Sequence, residues 1–351
     1  MRADLALIGF GHVGRRFAQL LVERGEQLQE RHDLTCRVLG IATARHGTAW
    51  RSDGLPLATA LAHDGSLDTL SNPSDAAPGR DAFDIIRRLA TSDADFRVVI
   101  ETTTLDIVSG QPAIDYVRAG LEAGCHVVTA NKGPVAFAYD SLRKQADSAG
   151  LSFLFEGAVM DGVPIFNLVR ETLPDVQILG FRGVINSTTN HILSAMEDGE
   201  AFDRALGRMQ AEGIAEADPS LDIDGWDAAA KTAALANVLM DARMTPHAVG
   251  RTGIDESSGA VARAARAQGR RLRLVAGAAR RTDGAVDATV APVELSDDDL
   301  LAGLRGQANA LVLETDLLGE IAVCQLSGSL THTAYALLSD LVTILRRQAP
   351  R

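Results

Sequence analysis

A glycine-rich hexapeptide near the amino terminus has the spacing of a phosphate-binding turn. Gly9-Phe10-Gly11-His12-Val13-Gly14 follows a short apolar run, residues 5–8, and precedes an amphipathic helical pattern. In a strand–turn–helix unit the first glycine permits a tight turn, the second lets the backbone approach a pyrophosphate, and the third allows close packing. The helix N-terminus then faces the phosphates. The hexapeptide predicts a dinucleotide site, and an ordinary strand–helix turn is the alternative for this spacing alone.

The end of the second predicted strand, residues 36–42, bears on which dinucleotide binds. An acid there would hold the ribose 2′-hydroxyl of NAD, whereas an arginine accommodates the 2′-phosphate of NADP. The chain continues as Thr43-Ala44-Arg45-His46, with one arginine and no acid. Arg45 therefore favours NADP, with NAD still possible. A solvated loop arginine is the alternative interpretation.

A second set of residues has the side chains that proton transfer needs. Asp227 and Lys231 are four residues apart in an alanine-rich helical stretch, residues 225–240, and so share a helix face. Asp222 comes just before that helix, where the helix dipole favours a carboxylate, and Glu216 lies upstream. Such a cluster offers acids for an ammonium group and a lysine for proton transfer at an oxygen. For Asp227 and Lys231 taken alone, a surface ion pair is the alternative.

Alternating strands and helices in the first 150 residues are the elements that would position the glycine turn. Strand candidates cover residues 5–8, 36–42, 96–100 and 126–129, with a helical pattern over 112–123. This alternation predicts an α/β fold with a parallel, doubly wound sheet of the Rossmann type. Residues 47–80 are rich in Asp, Ser, Gly and Pro, and we expect an irregular excursion there.

The pattern changes after about residue 150. Longer strand candidates are separated by helices, which predicts an α+β domain with an open mixed sheet over residues 151–330. The predicted strands are 176–186, 271–279, 310–315 and 320–325, and the predicted helices are 203–211 and 225–240.

Composition limits the possible partners. The chain has 351 residues and a formal charge of −12, which disfavours nucleic acid and anionic membranes but permits a small anionic ligand. Cys36, Cys125 and Cys324 form neither a CxxC pair nor a metal-ligand spacing, so we expect reduced, mostly buried thiols in a cytoplasmic protein. We find no signal peptide and no apolar run of about 20 residues that could cross a membrane.

Three further segments, together with the glycine turn, resemble homoserine dehydrogenases. They are HVVTANKGPVA (126–136), then EGAVMDGVP (156–164) with GVINSTTN (183–190), and finally EADP (216–219) with Asp222, DGWD (224–227) and Lys231. The resemblance runs to about residue 240 and continues more weakly to the end. It indicates a short form of the family, without a C-terminal regulatory domain.

The resemblance implies an activity and an architecture. The activity is oxidation of L-homoserine by NAD(P)+ to L-aspartate 4-semialdehyde, in threonine, methionine and isoleucine biosynthesis. The architecture is a Rossmann domain over residues 1–150 and a substrate-binding, catalytic and dimerisation domain over 151–330. A last helix, about 331–351, would return to the Rossmann domain, and the molecule would be a homodimer.

The resemblance also implies roles for individual residues. Lys231 and Lys132 match the two active-site lysines, and Asp227 would orient Lys231. Glu216, Asp222 and Thr188 match substrate-binding positions. The cofactor would contact the glycine turn, Arg45 and Lys132, with Thr102 and Thr103 beside the nicotinamide ribose.

A monovalent cation site is implied as well. Glu156, Val159, Asp161 and Val163 match a family site built from main-chain carbonyls and one carboxylate, which suits a hard cation such as sodium. The alternative for Glu156 is hydrogen bonding to local backbone N–H groups.

The C-terminal loop departs from the family pattern. The family usually has several glycines there, whereas QLSGSLTH (325–332) has one. This leaves open a related NAD(P)-dependent oxidoreductase acting on another small amino or hydroxy acid. A non-catalytic NADP-binding sensor is a further alternative, against which the set Lys132, Glu216, Asp227 and Lys231 argues.

Overall fold

Two mixed sheets of six strands each organise the chain, and the predicted α/β class is confirmed. The computed structural model describes residues 1–75, 79, 81–211, 215 and 218–348. The chain divides into a first unit, Met1–Pro164 with Ser329–Arg351, and a second unit, Ile165–Gly328. Each unit contains one of the sheets.

The first sheet has the strand order β3-β2-β1-β4-β5-β6. Its strands are β1 (Arg2–Ile8), β2 (Thr35–Thr43), β3 (Gly47–Trp50), β4 (Phe96–Glu101), β5 (His126–Thr129) and β6 (Phe153–Leu154). All neighbours are parallel except β2 and β3, which form an antiparallel hairpin. The chain leaves β1 toward β2 and later returns to its other side at β4. Ligands of such sheets bind at this switch point, beyond the carboxyl ends of the strands.

Helices of the first unit follow the strands. They are α1 (His12–His32), α2 (Leu57–Ala62), α3 (Ala82–Leu89), α4 (Ala113–Glu122), α5 (Lys132–Ser148) and the C-terminal helix (Leu330–Gln348). The C-terminal helix buries Ala334, Leu337, Leu341 and Ile344 in the same core as β1 and α1. Their spacing of three and four residues gives the helix one apolar face, which holds it on this unit.

The expected irregular excursion over residues 47–80 is partly wrong, because it contains β3, α2 and a 3-10 turn (Leu67–Leu70). Some of its polar side chains bond to the backbone of these elements. Ser66 accepts a hydrogen bond from the backbone N–H of Asp68, and Asp68 Oδ1 accepts one from Thr48 N at 3.2 Å. A high Asp and Ser content therefore marks helix starts here as well as turns.

The second sheet has the order β12-β11-β7-β9-β10-β8 and is antiparallel except between β10 and β8. Its strands are β7 (Ile178–Val184), β8 (Gly250–Arg251), β9 (Arg270–Arg280), β10 (Val286–Ser296), β11 (Asn309–Thr315) and β12 (Gly319–Gln325). Strand β7 is two residues shorter at each end than the predicted strand 176–186. Strand β10 was not predicted. More and less exposed residues alternate along β12, as expected for a sheet with one solvated face.

The helices of the second unit are α6 (Ile165–Asn167), α7 (Ser187–Glu197), α8 (Phe202–Ala211), α9 (Ser220–Ile223), α10 (Trp226–Met240) and α11 (Ser258–Ala267). Helix α10 packs on β9 and β10. Its many alanines are almost fully buried, so the helix backbone can approach the sheet closely. This buries the first turns of α10, where Asp227 and Lys231 lie.

Two general expectations concern membranes and thiols. In the described parts of the chain, no helix combines the length and apolar character needed to span a membrane. All three cysteines are free. Cys125 is buried and Cys36 is half-buried, but Cys324 is exposed, so that expectation of burial is wrong for Cys324.

Candidate active site

The glycine turn lies directly after β1, where close packing requires two of its glycines. Gly9 has a φ of +97°, and a Cβ added there would lie 2.7 Å from the carbonyl carbon and oxygen of Thr102. A Cβ added to Gly14 would lie 2.6 Å from the carbonyl oxygen of Gly9. Thr102 Oγ1 donates to that same oxygen at 3.1 Å. The turn is therefore packed against the loop that follows β4.

Gly11 differs from these glycines, because a Cβ added there meets no atom of the described residues within 4 Å. Gly11 is the N-cap of α1, and no side chain among the described residues caps this helix end. The first turn of α1 also lacks an acidic residue. Open space beside free N–H groups at a helix N-terminus fits the pyrophosphate of a dinucleotide.

Other residues of the turn anchor it or face outward. Phe10 is buried, and the Arg15 guanidinium lies 5.2 Å from its ring centre. Val13 is partly buried against the core, and His12 is exposed.

Arg45 lies at the tip of the hairpin between β2 and β3, beyond the carboxyl end of β2. Its side chain is exposed, and no described residue forms a hydrogen bond or ion pair with its guanidinium. Thr43 Oγ1 accepts a hydrogen bond from His46 N at 2.9 Å, which shapes the turn. In dinucleotide-binding folds of this type, residues after the second strand are near the 2′ position of the ribose, so Arg45 stays a candidate for that contact.

A ring of hydrogen bonds closes at the carboxyl ends of β4 and β5. Glu101 accepts from the backbone N–H of Thr103 at 2.7 Å and from the hydroxyls of Thr103 and Thr129, each at 2.5 Å. Asn131 N donates to Thr129 Oγ1 at 2.9 Å, and Asn131 Nδ2 donates to Thr103 O at 3.0 Å. Asn131 also caps α5, which begins at Lys132. The ring therefore holds the backbone of Thr103 and the backbone of Asn131, the residue directly before Lys132.

Sequence reasoning missed Glu101. Its side chain is fully buried, and this burial raises the pKa of its carboxyl, while the hydrogen bonds from Thr103, Thr129 and Asn131 oppose the rise. The available signal was an acid directly after the apolar run Val98-Val99-Ile100, at the end of the strand. A buried acid at the ligand-binding edge of a sheet is a candidate for a functional role.

In the second unit, Lys231 is held at two points. Its Nζ donates to the carbonyl oxygen of Ile185 at 2.7 Å and lies 3.0 Å from Asp227 Oδ2. The side chains of Lys231 and Asp227 are 15% and 17% exposed, so this is not the surface ion pair that spacing alone allows. A largely buried ammonium with a fixed direction is suited to proton transfer.

Asn186, in the segment GVINSTTN, was not among the predicted site residues, but it connects the two acids. Its Nδ2 donates to Asp222 Oδ1 at 2.6 Å and to Asp227 Oδ2 at 3.0 Å. Its Oδ1 accepts from Thr189 N at 2.9 Å and so caps α7. One carboxamide therefore joins the start of α7 to both carboxylates.

Burial raises the pKa of Asp222, and the negative charge of Asp227 adds to the rise. Hydrogen bonds from Asn186 and Thr188 and the charge of Lys231 act in the opposite direction. Thr188 is itself buried. This cluster holds two carboxylates against one lysine, an excess of negative charge that favours a cationic ligand group.

The remaining predicted residues are placed as follows. Glu216 lies outside the described residues. Glu156 is buried and its N–H donates to Asp340 Oδ2 at 2.8 Å, and Asp161 accepts from Thr333 Oγ1 at 3.1 Å. Val159 is buried and Val163 is half-buried in the same segment. Among the described residues, no group of three or more His, Cys, Asp or Glu side chains has metal-site geometry.

Comparison with known proteins decides the family. A model of the homoserine dehydrogenase family matches residues 164–342, and a model of the homoserine dehydrogenase NAD-binding domain matches residues 9–156. The chain belongs to the homoserine dehydrogenase family. The resemblance noted in the sequence is therefore confirmed.

Several homoserine dehydrogenases resemble the chain over nearly its whole length. An NAD(+)-dependent homoserine dehydrogenase of Pseudomonas canavaninivorans is 36% identical over 97% of this chain and 95% of its own. A putative homoserine dehydrogenase of Archaeoglobus fulgidus has a TM-score of 0.83 and 29% identity, covering 98% of this chain and 99% of its own. A hyperthermophilic archaeal homoserine dehydrogenase in complex with NADPH has a TM-score of 0.80 and 27% identity, covering 100% and 99%.

Substitutions of Gly11 and Gly14 by alanine should have different effects on stability and on cofactor binding. Gly11→Ala enters open space, so its melting temperature should stay near that of the wild type. Its dissociation constant for NADPH or NADH should rise about tenfold or more, because the methyl group would occupy the space into which the pyrophosphate must come. Gly14→Ala should instead lower the melting temperature. Thermal unfolding and fluorescence titration would check this, and tight cofactor binding by Gly11→Ala would contradict the assignment.

Proposed function

We propose that the protein oxidises L-homoserine to L-aspartate 4-semialdehyde with NAD(P)+, and catalyses the reverse reduction. The observation that carries this proposal is the arrangement of Lys231, held between Asp227 and the Ile185 carbonyl. The family supplies the reaction, and the glycine turn supplies a site that fits a dinucleotide. The glycine-poor loop over residues 325–332 is the basis of the alternative hypothesis that the enzyme uses another small amino or hydroxy acid. The matched relatives do not favour that alternative.

The acidic cluster would bind the substrate. Asp222 and Glu216 would receive the ammonium and hydroxyl ends of homoserine, with the Thr188 hydroxyl as a further contact. Asn186 would keep the Asp222 and Asp227 carboxylates in fixed directions, because it donates to both. A cationic substrate group would then replace part of the solvation that the half-buried Asp222 and Asp227 carboxylates have lost.

Lys231 would act at the reacting oxygen. When bound, NAD(P)+ supplies the acceptor for the hydrogen that leaves the substrate carbon with its electron pair. The proton on the alcohol oxygen must be taken up separately, and Lys231 would accept it as a neutral amine. Asp227 would hold the ammonium that results. In the reverse reduction the Lys231 ammonium would donate a proton to the carbonyl oxygen. Lys132, at the start of α5 in the first unit, would assist at the cofactor and substrate oxygen.

The cofactor would bind along the carboxyl ends of the first sheet. Gly9, Phe10, Gly11, His12, Val13 and Gly14 would form the phosphate turn, with Arg45 at the 2′-phosphate and Thr102 and Thr103 toward the nicotinamide ribose. Arg45 supports NADP as the preferred cofactor, because a guanidinium without a described partner is available to a phosphate.

Three finer features belong to the same proposal. The enzyme would serve threonine, methionine and isoleucine biosynthesis in the cytoplasm, where free thiols stay reduced. Residues 156–163 would bind a monovalent cation such as sodium through Glu156 and the main-chain carbonyls of Val159, Asp161 and Val163. The donor chemistry fits such an ion, and the buried Glu156 supplies the negative charge.

The proposal is tested directly by mixing purified protein with L-homoserine and NADP+ or NAD+ and following absorbance of the reduced cofactor. L-homoserine should be used in preference to L-serine, L-threonine and small 2-hydroxy acids. Faster oxidation of any of these would contradict the proposal. Cofactor binding without oxidation of any of them would favour a non-catalytic sensor.

Lys231→Met removes the ammonium and keeps the side-chain length. The turnover number with saturating homoserine should fall by about a hundredfold or more, the scale of general acid–base catalysis. Affinity for the cofactor should change little, because the phosphate turn is in the first unit. Lys144→Met is a matched control, since Lys144 forms an exposed pair with Asp140, also four residues apart, at 2.8 Å. If Lys231→Met retains more than about a tenth of the turnover, Lys132 becomes the leading candidate.

Arg45→Glu should shift cofactor preference toward NAD+. A carboxylate at this position would repel a 2′-phosphate and accept hydrogen bonds from the ribose hydroxyls of NAD. The ratio of kcat/KM for NADP+ to that for NAD+ should therefore fall, whereas Arg24→Glu, an equal charge change on an exposed face of α1, should leave it unchanged. An unchanged ratio in Arg45→Glu would remove Arg45 from the site.

We also propose a homodimer formed through the second sheet. The length of strands β9 and β10 and the exposed apolar side chain of Val293 on β10 support the proposal. Light scattering at micromolar concentration should give twice the 37.1 kDa mass of the chain. A fully active monomer would contradict it, and Val293→Asp should weaken association without altering the helical content.

A further inference from the structure

Glu101, Thr103, Thr129 and Asn131 form a ring of hydrogen bonds in the first unit, which we call the Glu101 ring. It is closed, because Glu101 accepts from Thr103 and Thr129, Thr129 accepts from Asn131, and Asn131 donates back to Thr103. Glu101 and Thr129 are fully buried, and Asn131 is 5% exposed. Each member is held by at least two hydrogen bonds, so a displacement of one is transmitted to the others.

The Glu101 carboxyl is buried without a positively charged partner among the described residues. Within the described part of the chain it has no ion pair, and only hydroxyl and amide groups donate to it. Asp4 is equally buried on the same sheet, but its two oxygens accept from Arg37 at 2.9 and 2.8 Å. Burying an acid without a cation is costly, and an apolar side chain of similar size would stabilise a strand end more simply. Fold stability therefore does not explain why an acid is present at this position.

The location of the ring suggests what it does. Glu101 is paired with Ile8, the last residue before Gly9, and with Thr129 across β5. Thr102 packs against Gly9, and Lys132 follows Asn131 directly. The ring thus lies between the phosphate turn and the start of α5.

We infer that Glu101 is a positioning residue that, through the Glu101 ring, sets Thr103 and Lys132 in the arrangement that receives the nicotinamide end of the cofactor. This inference rests on the proposed function, in which both residues contact that end. The pyrophosphate is held separately at Gly11 and the N-terminus of α1. Breaking the ring should therefore disturb the reacting end of the cofactor more than it weakens cofactor binding.

Two variants break the ring at different members. Thr129→Val is isosteric and removes the hydroxyl that donates to Glu101 and accepts from Asn131. Glu101→Gln keeps the size but turns one accepting oxygen into a donor. Thr129→Ser is the matched rescue, since it restores the hydroxyl. Asp4→Asn is the control for loss of a buried carboxylate, because Asp4 lies on β1 about 13 Å before Ile8.

Each variant is titrated with NADPH, or with NADH if the wild type prefers it, to give a dissociation constant and the nicotinamide emission per bound cofactor. Turnover with homoserine is then expressed per binding site, so that unfolded protein does not count. Thr129→Val and Glu101→Gln should lose about tenfold or more in kcat, the scale of a small misplacement of reacting groups, with dissociation constants changed less than about threefold. Their emission per bound cofactor should shift toward that of the free cofactor. Thr129→Ser and Asp4→Asn should match the wild type in kcat per site, even if Asp4→Asn unfolds at a lower temperature.

The inference is overturned if either ring-breaking variant retains wild-type kcat per site and wild-type emission, or if Asp4→Asn loses as much as they do. Failure of the proposed function has a different signature. In that case the wild type binds cofactor but does not oxidise homoserine, and the emission of the four variants still decides whether the ring positions the nicotinamide.

Discussion

Two carboxylates, Asp222 and Asp227, share a single amide donor in the second unit, and this shared contact constrains everything around it. Like charges this close repel each other strongly unless hydrogen bonds and an opposite charge compensate them. The Nδ2 group of Asn186 and the Nζ group of Lys231 provide that compensation. Asn186 must follow β7 and cap α7, while Lys231 must lie about one turn into α10. The sheet and both helices are therefore tied to the geometry of one acidic cluster.

The first unit also has an asparagine between a strand and a helix, at Asn131. Asn131 follows β5 as Asn186 follows β7, and each caps the next helix with its Oδ1. In each case the Nδ2 group donates to a neighbouring part of the chain. Asn131 Nδ2 donates to Thr103 O, and Asn186 Nδ2 donates to the carboxylates of Asp222 and Asp227. An asparagine at a strand–helix junction satisfies the helix end and still has donors to orient functional groups. Lys132 follows the first of these junctions directly, and Thr188 lies two residues after the second.

How much was predictable from sequence depended on the distance between partners along the chain. The glycine turn is contiguous, so its role in close packing could be predicted residue by residue. The predicted strand 176–186 was too long because apolar character continues through Ile185, although the Ile185 carbonyl is used by Lys231 and not by the sheet. Residues 47–80 were misjudged because Asp68 and Ser66 are suitable for both turns and caps.

The Asp227–Lys231 pair shows where local reasoning ends. A spacing of four residues on a helix is equally compatible with a solvated ion pair and with a catalytic one, since both need the same face. What separates them is burial and the third partner, and both are set by residues 41 and 46 positions away, Asn186 for Asp227 and Ile185 for Lys231. Neither contact is encoded near residue 231. The contact of Lys231 with Ile185 depends on the alanines of α10. Their small side chains let that helix approach the sheet closely enough for Lys231 to reach the residue after β7.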